Sequence, residues 1–438
     1  MTDVHQTTLT PTRRQAVTAL AAAGSLTALT ACAPGSSGGS SSGDGTLRVS
    51  TWGNDSRLQL TQQAAAAFQE ANPGVTVAVE NSEWTSYWDK LATSTAANDS
   101  PDVIQMDEAY IAAYGTRGAL LDLGEADGLD LSAMNTTVLD TGNVDGTLVG
   151  APIGVGNLSV GVNPVLLEQA GVAMPDDTTW TWEQFRDIAA QVSAALGGQG
   201  VVGFDMFGFG AAEVGAWVRQ FGQEVFPRED EEPASVENFQ SYFDFANSLV
   251  ASGACPQASV QSENSTSALD ASLFATNKSA FHLQFHTQIS AYAAASGTQL
   301  GLLRLPAQQA GQSPRMVNKA SMYWSIASRT AQSENAAKFV QFMLTNPTAT
   351  KILTTERGIP AIPEVRQDIE PVLDEQSKIA LQFSEDIASE VVDPPQVTPS
   401  GASAWNTEFT TIGTEQLFGR STPADAAQRA LTTSQGML

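Results

Sequence analysis

The chain has 438 residues, 42% of them hydrophobic and 16% charged, enough apolar material to bury a large core and more than one. Its formal charge of −26 repels phosphate backbones and anionic headgroups, which argues against nucleic acid and against direct binding to a membrane surface. Two cysteines, Cys32 and Cys255, offer no disulfide framework, and Cys255 reads as a small buried apolar residue.

The N-terminus has the parts of an export signal over residues 1–31. Arg13 and Arg14 form a charged region, and the apolar stretch Ala16 to Leu29 is too short to span a bilayer. Leu29, Thr30, Ala31 and Cys32 resemble the lipobox of bacterial lipoproteins, in which cleavage frees the cysteine and its thiol carries a diacylglycerol. Arg13 and Arg14 also resemble a loose twin-arginine signal, and Sec export fits nearly as well. Residues 32–45, ten of them glycine or serine, read as a flexible strap that would let a body move over the membrane it is anchored to.

After the strap, "TLRVSTW" (46–52) reads as a buried strand and "DSRLQLTQQAAAAFQEA" (55–71) as a helix closed by Asn72, Pro73 and Gly74. "VTVAV" alternates as the next strand, a helix follows around "YWDKLATSTAA", and "PDVIQM" is a short apolar strand. Repeated strand, helix and strand units predict an α/β fold with a mostly parallel sheet covered on both faces. Ligands of such sheets bind beyond the carboxyl ends of the strands, where "WGND" (52–55) and "QMDE" (105–108) wait. Further on, "NVDGTLVGAPIGVGNLSVGVNPVLLEQAG" reads as a chain leaving one lobe for another, and Thr181 with Gln184 forms a capping box.

Enzyme motifs are scarce. The chain contains no Gly-Lys dipeptide, hence no P-loop, and no Gly-x-Ser-x-Gly elbow follows Gly45. His282 and His286 lack further ligands at metal spacing. Asp107 and Glu108 are adjacent, so on a strand they would point to opposite sides, which suits a glycosidase pair badly. No cofactor or metal is expected.

The ordered run "AFQEANPGVTVAVE", "YWDKLATSTAANDSPDVIQMDEAYIAAYGTRGALLDL", "VDGTLVGAPIGVGNLSVGVNPVLLEQAG" and "TWEQF" resembles extracellular solute-binding proteins of family 1, the maltodextrin-binding-like receptors of ABC sugar importers. The resemblance runs from about Thr46 to about Ala430. It implies a two-lobed periplasmic-binding-protein-like fold of type II, each lobe a mostly parallel sheet flanked by helices, with one lobe from 46–153 and 303–332 and the other from 154–302 and 333–438. It also implies a monomeric receptor without chemistry of its own, anchored by lipid on Cys32 outside the cell membrane, that binds a carbohydrate between the lobes and passes it to a permease driven by a separate ATPase. A surface-tethered glycan-active enzyme is the alternative.

Carried over by position, the resemblance puts Asn54, Asp55 and Arg57 after the first strand, Asp107 and Glu108 after "PDVIQM", and Gly156 and Asn157 at the first crossover. Glu213 and Trp217 in "AAEVGAWVRQFG" follow, then Gln284 and His286 in "HLQFH", a departure from the family's usual glycine and tryptophan. Tyr323 and Trp324 fall near the cleft floor, although strand alternation allows Trp324 to turn inward, and Trp405 sits in a loop that often stacks on sugar. Each has a plainer reading: Asp55 with Arg57 as ion pair and cap, and Asp107 as cap of the next helix. Trp84, at a helix entry, divides evenly between ligand and core, whereas Trp88, Trp180, Trp182 and His282 read as packing.

Overall fold

The computed structural model describes residues 45–438. The expected signal segment, the expected lipobox with Cys32 and nearly all of the expected strap lie outside the described residues.

The body starts with β1 (Thr46–Trp52), which buries Leu47, Val49 and Thr51 on one side. Gly53, at φ 141°, turns the chain into α1 (Asp55–Ala71); a Cβ there would meet Arg57 Cδ at 2.5 Å, so the turn needs glycine. Asn54 caps α1 by accepting the Arg57 N–H. β2 (Thr76–Ser82), α2 (Trp84–Ala96), β3 (Val103–Met106) and α3 (Glu108–Gly115) follow, α3 being capped by Asp107. β4 (Ala151–Gly156) then ends one residue before β5 (Leu158–Val162), with Asn157 alone between them.

β5 opens a second sheet. It is completed through α4 (Pro164–Ala170), α5 (Trp182–Leu196), β6 (Val202–Phe204), α6 (Ala211–Arg219), α7 (Val236–Ala251), β7 (Ser279–Phe285), α8 (Ile289–Ser296) and β8 (Gly301–Leu303). The expected capping box at α5 is formed, with Thr181 and Gln184 bonding each other's backbone. The chain returns by β9 (Lys319–Ile326), α9 (Ser333–Thr345), α10 (Pro347–Leu353), β10 (Ile359–Pro360) and α11 (Pro363–Ile369), and ends in α12 (Glu375–Asp386), α13 (Trp405–Leu417) and α14 (Pro423–Gln435).

The two larger sheets among the described residues have the orders β10-β4-β9-β3-β1-β2 and β8-β5-β7-β6, and two further sheets are two-stranded. The α/β class stands, but the sheets are mixed. β1 pairs in parallel with β2 and β3, whereas β9 runs antiparallel to β3 and to β4, because it re-enters the first sheet from the opposite end. In the second sheet β5 is antiparallel to β7 and β8, and only β6 and β7 are parallel.

The segment 333–372, expected with the second lobe, packs on the first. Phe339 of α9 meets Phe68 of α1 at 5.2 Å between ring centroids, and β10 is an edge strand of the first sheet. The apolar faces of α9, α10 and α11 cover that sheet's helix layer, which the sequence pattern alone does not specify. α13 and α14 do belong with the second sheet's core, beside Phe239 and Phe243.

Candidate functional site

A cavity of about 160 Å³ is lined by elements of both sheets. From the first come Glu108 at the start of α3, Thr141 and Tyr323 of β9. Gly156, Leu158, Val317 and Lys319 line it at the crossover. From the second come one face of α6, then Glu224, Phe226, Phe285 and Trp405.

The α6 face shows how the sequence makes the space. Ala211, Ala212, Gly215, Ala216 and Arg219 recur at helical spacing, and the first four are too small to fill the gap. Arg219 is held by a two-pronged bond to Glu224, Nε to Oε1 at 2.6 Å and Nη2 to Oε2 at 3.0 Å, with both side chains about nine-tenths buried. The pair fixes two charged rims against the apolar wall of Phe226 and Val225.

An irregular strap, residues 394–398, closes one side. Gln396 Nε2 donates to the Phe226 and Pro227 carbonyls at 3.1 and 3.0 Å, and Arg228 Nη2 donates to the Pro394 carbonyl at 3.0 Å. Val397 packs on the aromatic cluster of Trp52, Tyr87 and Trp88. The Thr398 N–H donates to Glu108 Oε1 at 2.7 Å, and the Thr398 hydroxyl donates to the same oxygen. The strap is thereby tied to both sides of the cavity.

Two polar atoms of the lining, the Trp405 indole N–H and Arg315 Nε, are buried without a partner, and the Tyr323 hydroxyl lies beside Thr141. Burial drives the Tyr323 phenol far above its ordinary range, so it stays a neutral donor. Such groups are costly to bury alone, and a polar ligand or water can supply the missing partner.

Of the residues singled out from the sequence, Glu108, Tyr323 and Trp405 line this cavity; Asn157 does not, although its neighbours Gly156 and Leu158 do. Asn157 is tied into the crossover, its Nδ2 donating to Val317 O at 2.7 Å and Asn318 Oδ1 at 2.9 Å. Trp324 does not line it: β9 alternation turns the indole into the first core, against Phe339 and the Arg357 guanidinium at 5.6 Å. Glu213 and Trp217 lie on the α6 face opposite the small residues. Trp217 packs among Trp182, Phe207 and Phe245 with its N–H donating to Ser241 Oγ, while burial pushes the Glu213 carboxyl above its usual range beside Gly208 and Gly210.

Gln284 and His286 are buried away from the cavity. The Gln284 amide has no hydrogen-bond partner; His286 Nδ1 accepts the Asn157 N–H at 2.9 Å, and burial lowers the imidazole pKa to about 4. Asp107 accepts the Ala109 N–H as the α3 cap, and Arg57 pairs with Glu356 at 2.9 Å. Asn54 is taken up in capping, Asp55 is exposed in the first turn of α1, and none of these four lines the cavity. Trp84 is 42% exposed and meets Trp52, Trp88 and Tyr110 edge-on, forming an aromatic patch outside it. Arg219, Glu224, Phe226, Phe285, Arg315, Lys319 and Thr398 were missed. Only the α6 residues carried a signal, the run of small residues at helical spacing.

Among the described residues no group of three or more His, Cys, Asp or Glu could hold a metal ion, and no helix is long and apolar enough to cross a membrane.

The family described as Bacterial extracellular solute-binding protein matches residues 63–379. Among solved structures, the chain is similar to an extracellular solute-binding protein family 1 member from Alicyclobacillus acidocaldarius, with 27% identity over 89% of this chain and 98% of that one and a TM-score of 0.70. It shares the fold of a periplasmic oligogalacturonide binding protein from Yersinia enterocolitica solved with saturated digalacturonic acid, at 20% identity, 90% and 98% coverage and TM-score 0.76. The same holds for the GacH receptor of Streptomyces glaucescens, solved unliganded and with acarbose, at 20% identity, 89% and 98% coverage and TM-score 0.73.

Proposed function

Because the chain belongs to the bacterial extracellular solute-binding protein family, we propose that it captures a mono- or oligosaccharide in the cavity lined from both sheets and delivers it, unaltered, to the permease of an ABC importer. The observation that carries this reading is the pairing of Trp405, Phe226, Phe285 and Tyr323 with the charged groups of Glu108, Arg219 and Glu224 in one cavity. A sugar ring has two apolar C–H faces and a rim of paired donors and acceptors, and this lining offers planes for the one and charged hydrogen-bonding groups for the other.

The magnitudes are adequate. Covering about 80 Å² of sugar face is worth roughly 2 kcal/mol at ~25 cal/mol per Å². Hydrogen bonds to charged groups add about 1.5–3 kcal/mol each, so a few of both reach the ~8 kcal/mol of a micromolar receptor. The cavity has space for on the order of ten water-sized groups, about the heavy-atom count of one sugar ring. The neighbours solved with digalacturonic acid and acarbose are in keeping with a saccharide cargo.

In this reading the export signal and a lipid on Cys32 place the body on the outer face of the cell membrane, and the Gly/Ser strap lets it swing between ligand and permease. A thermal-shift screen over neutral and acidic saccharides, followed by chromatography of the recovered sugar, tests it. A receptor is stabilised by its ligand and returns it intact. Cleaved sugar would instead make this a tethered glycan-active enzyme.

A further inference from the structure

We infer that the cargo is an acidic saccharide, one bearing a carboxylate or phosphate, with Arg315 and Lys319 at the crossover holding its oxyanion. This rests on the carbohydrate reading above and narrows it. The cavity lining carries Arg219, Arg315 and Lys319 against Glu108 and Glu224, an excess of one positive charge inside a chain whose net charge is −26. Arg219 and Glu224 neutralise each other through their two-pronged bond. Among the described residues neither Arg315 nor Lys319 is in an ion pair, although carboxylates outnumber cations in this protein by more than two to one.

Both cations are positioned rather than loose. Arg315 has φ +50°, a conformation that an arginine rarely adopts; its N–H donates to Ser313 Oγ at 3.0 Å, and its Nε is buried without a partner. Lys319 pairs with Gly156 across β9 and β4, and its Nζ lies 6.0 Å from the Phe285 ring centroid. A buried guanidinium nitrogen without an acceptor is expensive, and the fork of an arginine fits a carboxylate or phosphate in two-pronged fashion.

Glu108, the charge that remains once Arg219 and Glu224 are paired, stands at the far end. Tyr323, which pairs with Met106 just before α3, is four residues along β9 from Lys319, or about 13 Å of strand. Glu108 is thus free to accept sugar hydroxyls while the oxyanion sits at the crossover.

Isothermal titration of the intact protein with matched pairs, galacturonate and galactose, glucuronate and glucose, digalacturonate and lactose, together with glucose 6-phosphate, tests the assignment. The acidic member of at least one pair, or the phosphate, should bind tenfold or more tightly than its neutral partner, and less tightly at 0.5 M than at 0.05 M salt. Arg315→Gln and Lys319→Gln should each cut that affinity tenfold or more without changing the melting temperature by more than a few degrees. Uronates binding in place of the phosphate identifies a carboxylate cargo, and the converse a phosphoryl one; either supports the inference. Equal affinity for neutral and acidic members, or acidic binding untouched by both substitutions, overturns it and leaves the carbohydrate reading standing. Binding of none of these sugars overturns both.

Discussion

Glu108 and Thr398, 290 positions apart in the chain, meet across the cavity, where one carboxylate oxygen accepts both the N–H and the hydroxyl of the threonine. The threonine thus presents two adjacent donors to a carboxylate, as two neighbouring sugar hydroxyls would. It also ties the irregular strap to the first sheet.

Thr398→Val keeps the N–H donor and loses the hydroxyl, so the folded state should lose about 1 kcal/mol while affinity for the best saccharide stays within threefold. Glu108→Ala removes the acceptor from both strap and ligand and should weaken binding by about 1.5–3 kcal/mol. Titration calorimetry with urea denaturation checks the pair. Unchanged affinity in Glu108→Ala would remove Glu108 from the site.

Trp405 and Trp324 should separate binding from folding. Trp405 touches the cavity and also packs on Phe226 and Phe409, at 5.8 and 5.1 Å between centroids, so Trp405→Leu, which keeps much of the packing, should cost about 1.5 kcal/mol or more of affinity. Trp324→Ala should cost about 3–5 kcal/mol of stability as a core truncation and leave the affinity of the folded fraction intact, as should Trp182→Ala. Loss of affinity in Trp324→Ala at full folding would contradict the inward orientation.

The imidazole of His286 is held neutral by burial, with a pKa of about 4, while in the unfolded chain it titrates near the ordinary value of 6.5. Between those values the unfolded state binds more protons, so stability falls as pH drops through this window, by on the order of 3 kcal/mol at its acid end. Protonation of Nδ1 would also expel the Asn157 N–H at the crossover. The buried Glu213 carboxyl, shifted upward, acts in the opposite sense and loses stability as pH rises. Denaturation at pH 7 and pH 4.5 should therefore show a smaller loss in His286→Gln than in the parent. Equal losses would mean that His286 is not the titrating group.

Breaking the Arg219–Glu224 pair from one side should cost about 3–5 kcal/mol, because the remaining charge stays buried. Arg219→Met alone should show this, and Arg219→Met combined with Glu224→Met should recover much of it. A double variant no more stable than the single one would count against a desolvated pair.

Cys32→Ser should leave the body folded but shift the protein from the membrane fraction to the medium, as lipid on that thiol is the proposed attachment. Cell fractionation reads this directly, and an unaltered membrane fraction would sink the anchor.

The α/β class, the first strands and helices and the α5 capping box were legible because each is a local pattern. Strand β1 and helix α1 span the same residues in the sequence reading and in the structure. Side-chain direction was less legible. A helix phase decides that Gly215 and Arg219 face the cavity while Glu213 and Trp217 face the core, and the larger, more chemical side chains drew attention to the wrong face. On β9 a single step of alternation separates Tyr323 from Trp324. Arg57 and Asp107 went to an ion pair and a cap, uses that a motif does not distinguish from ligand contact. The strap 394–398 has no period, so nothing in it marks Thr398.

The strand order bears on synthesis. β9 lies between β3 and β4, and β10 lies beyond β4 at the edge, so a chain that has emerged only as far as Asn157 has two unfilled places in its first sheet and exposes the edges of β3 and β4. The second sheet is drawn from one continuous stretch, Leu158 to Leu303, and can pair all its strands as soon as Leu303 has appeared. The sheet begun second is therefore complete first, and the one begun first must be kept from edge-to-edge pairing with other chains until Pro360 has followed.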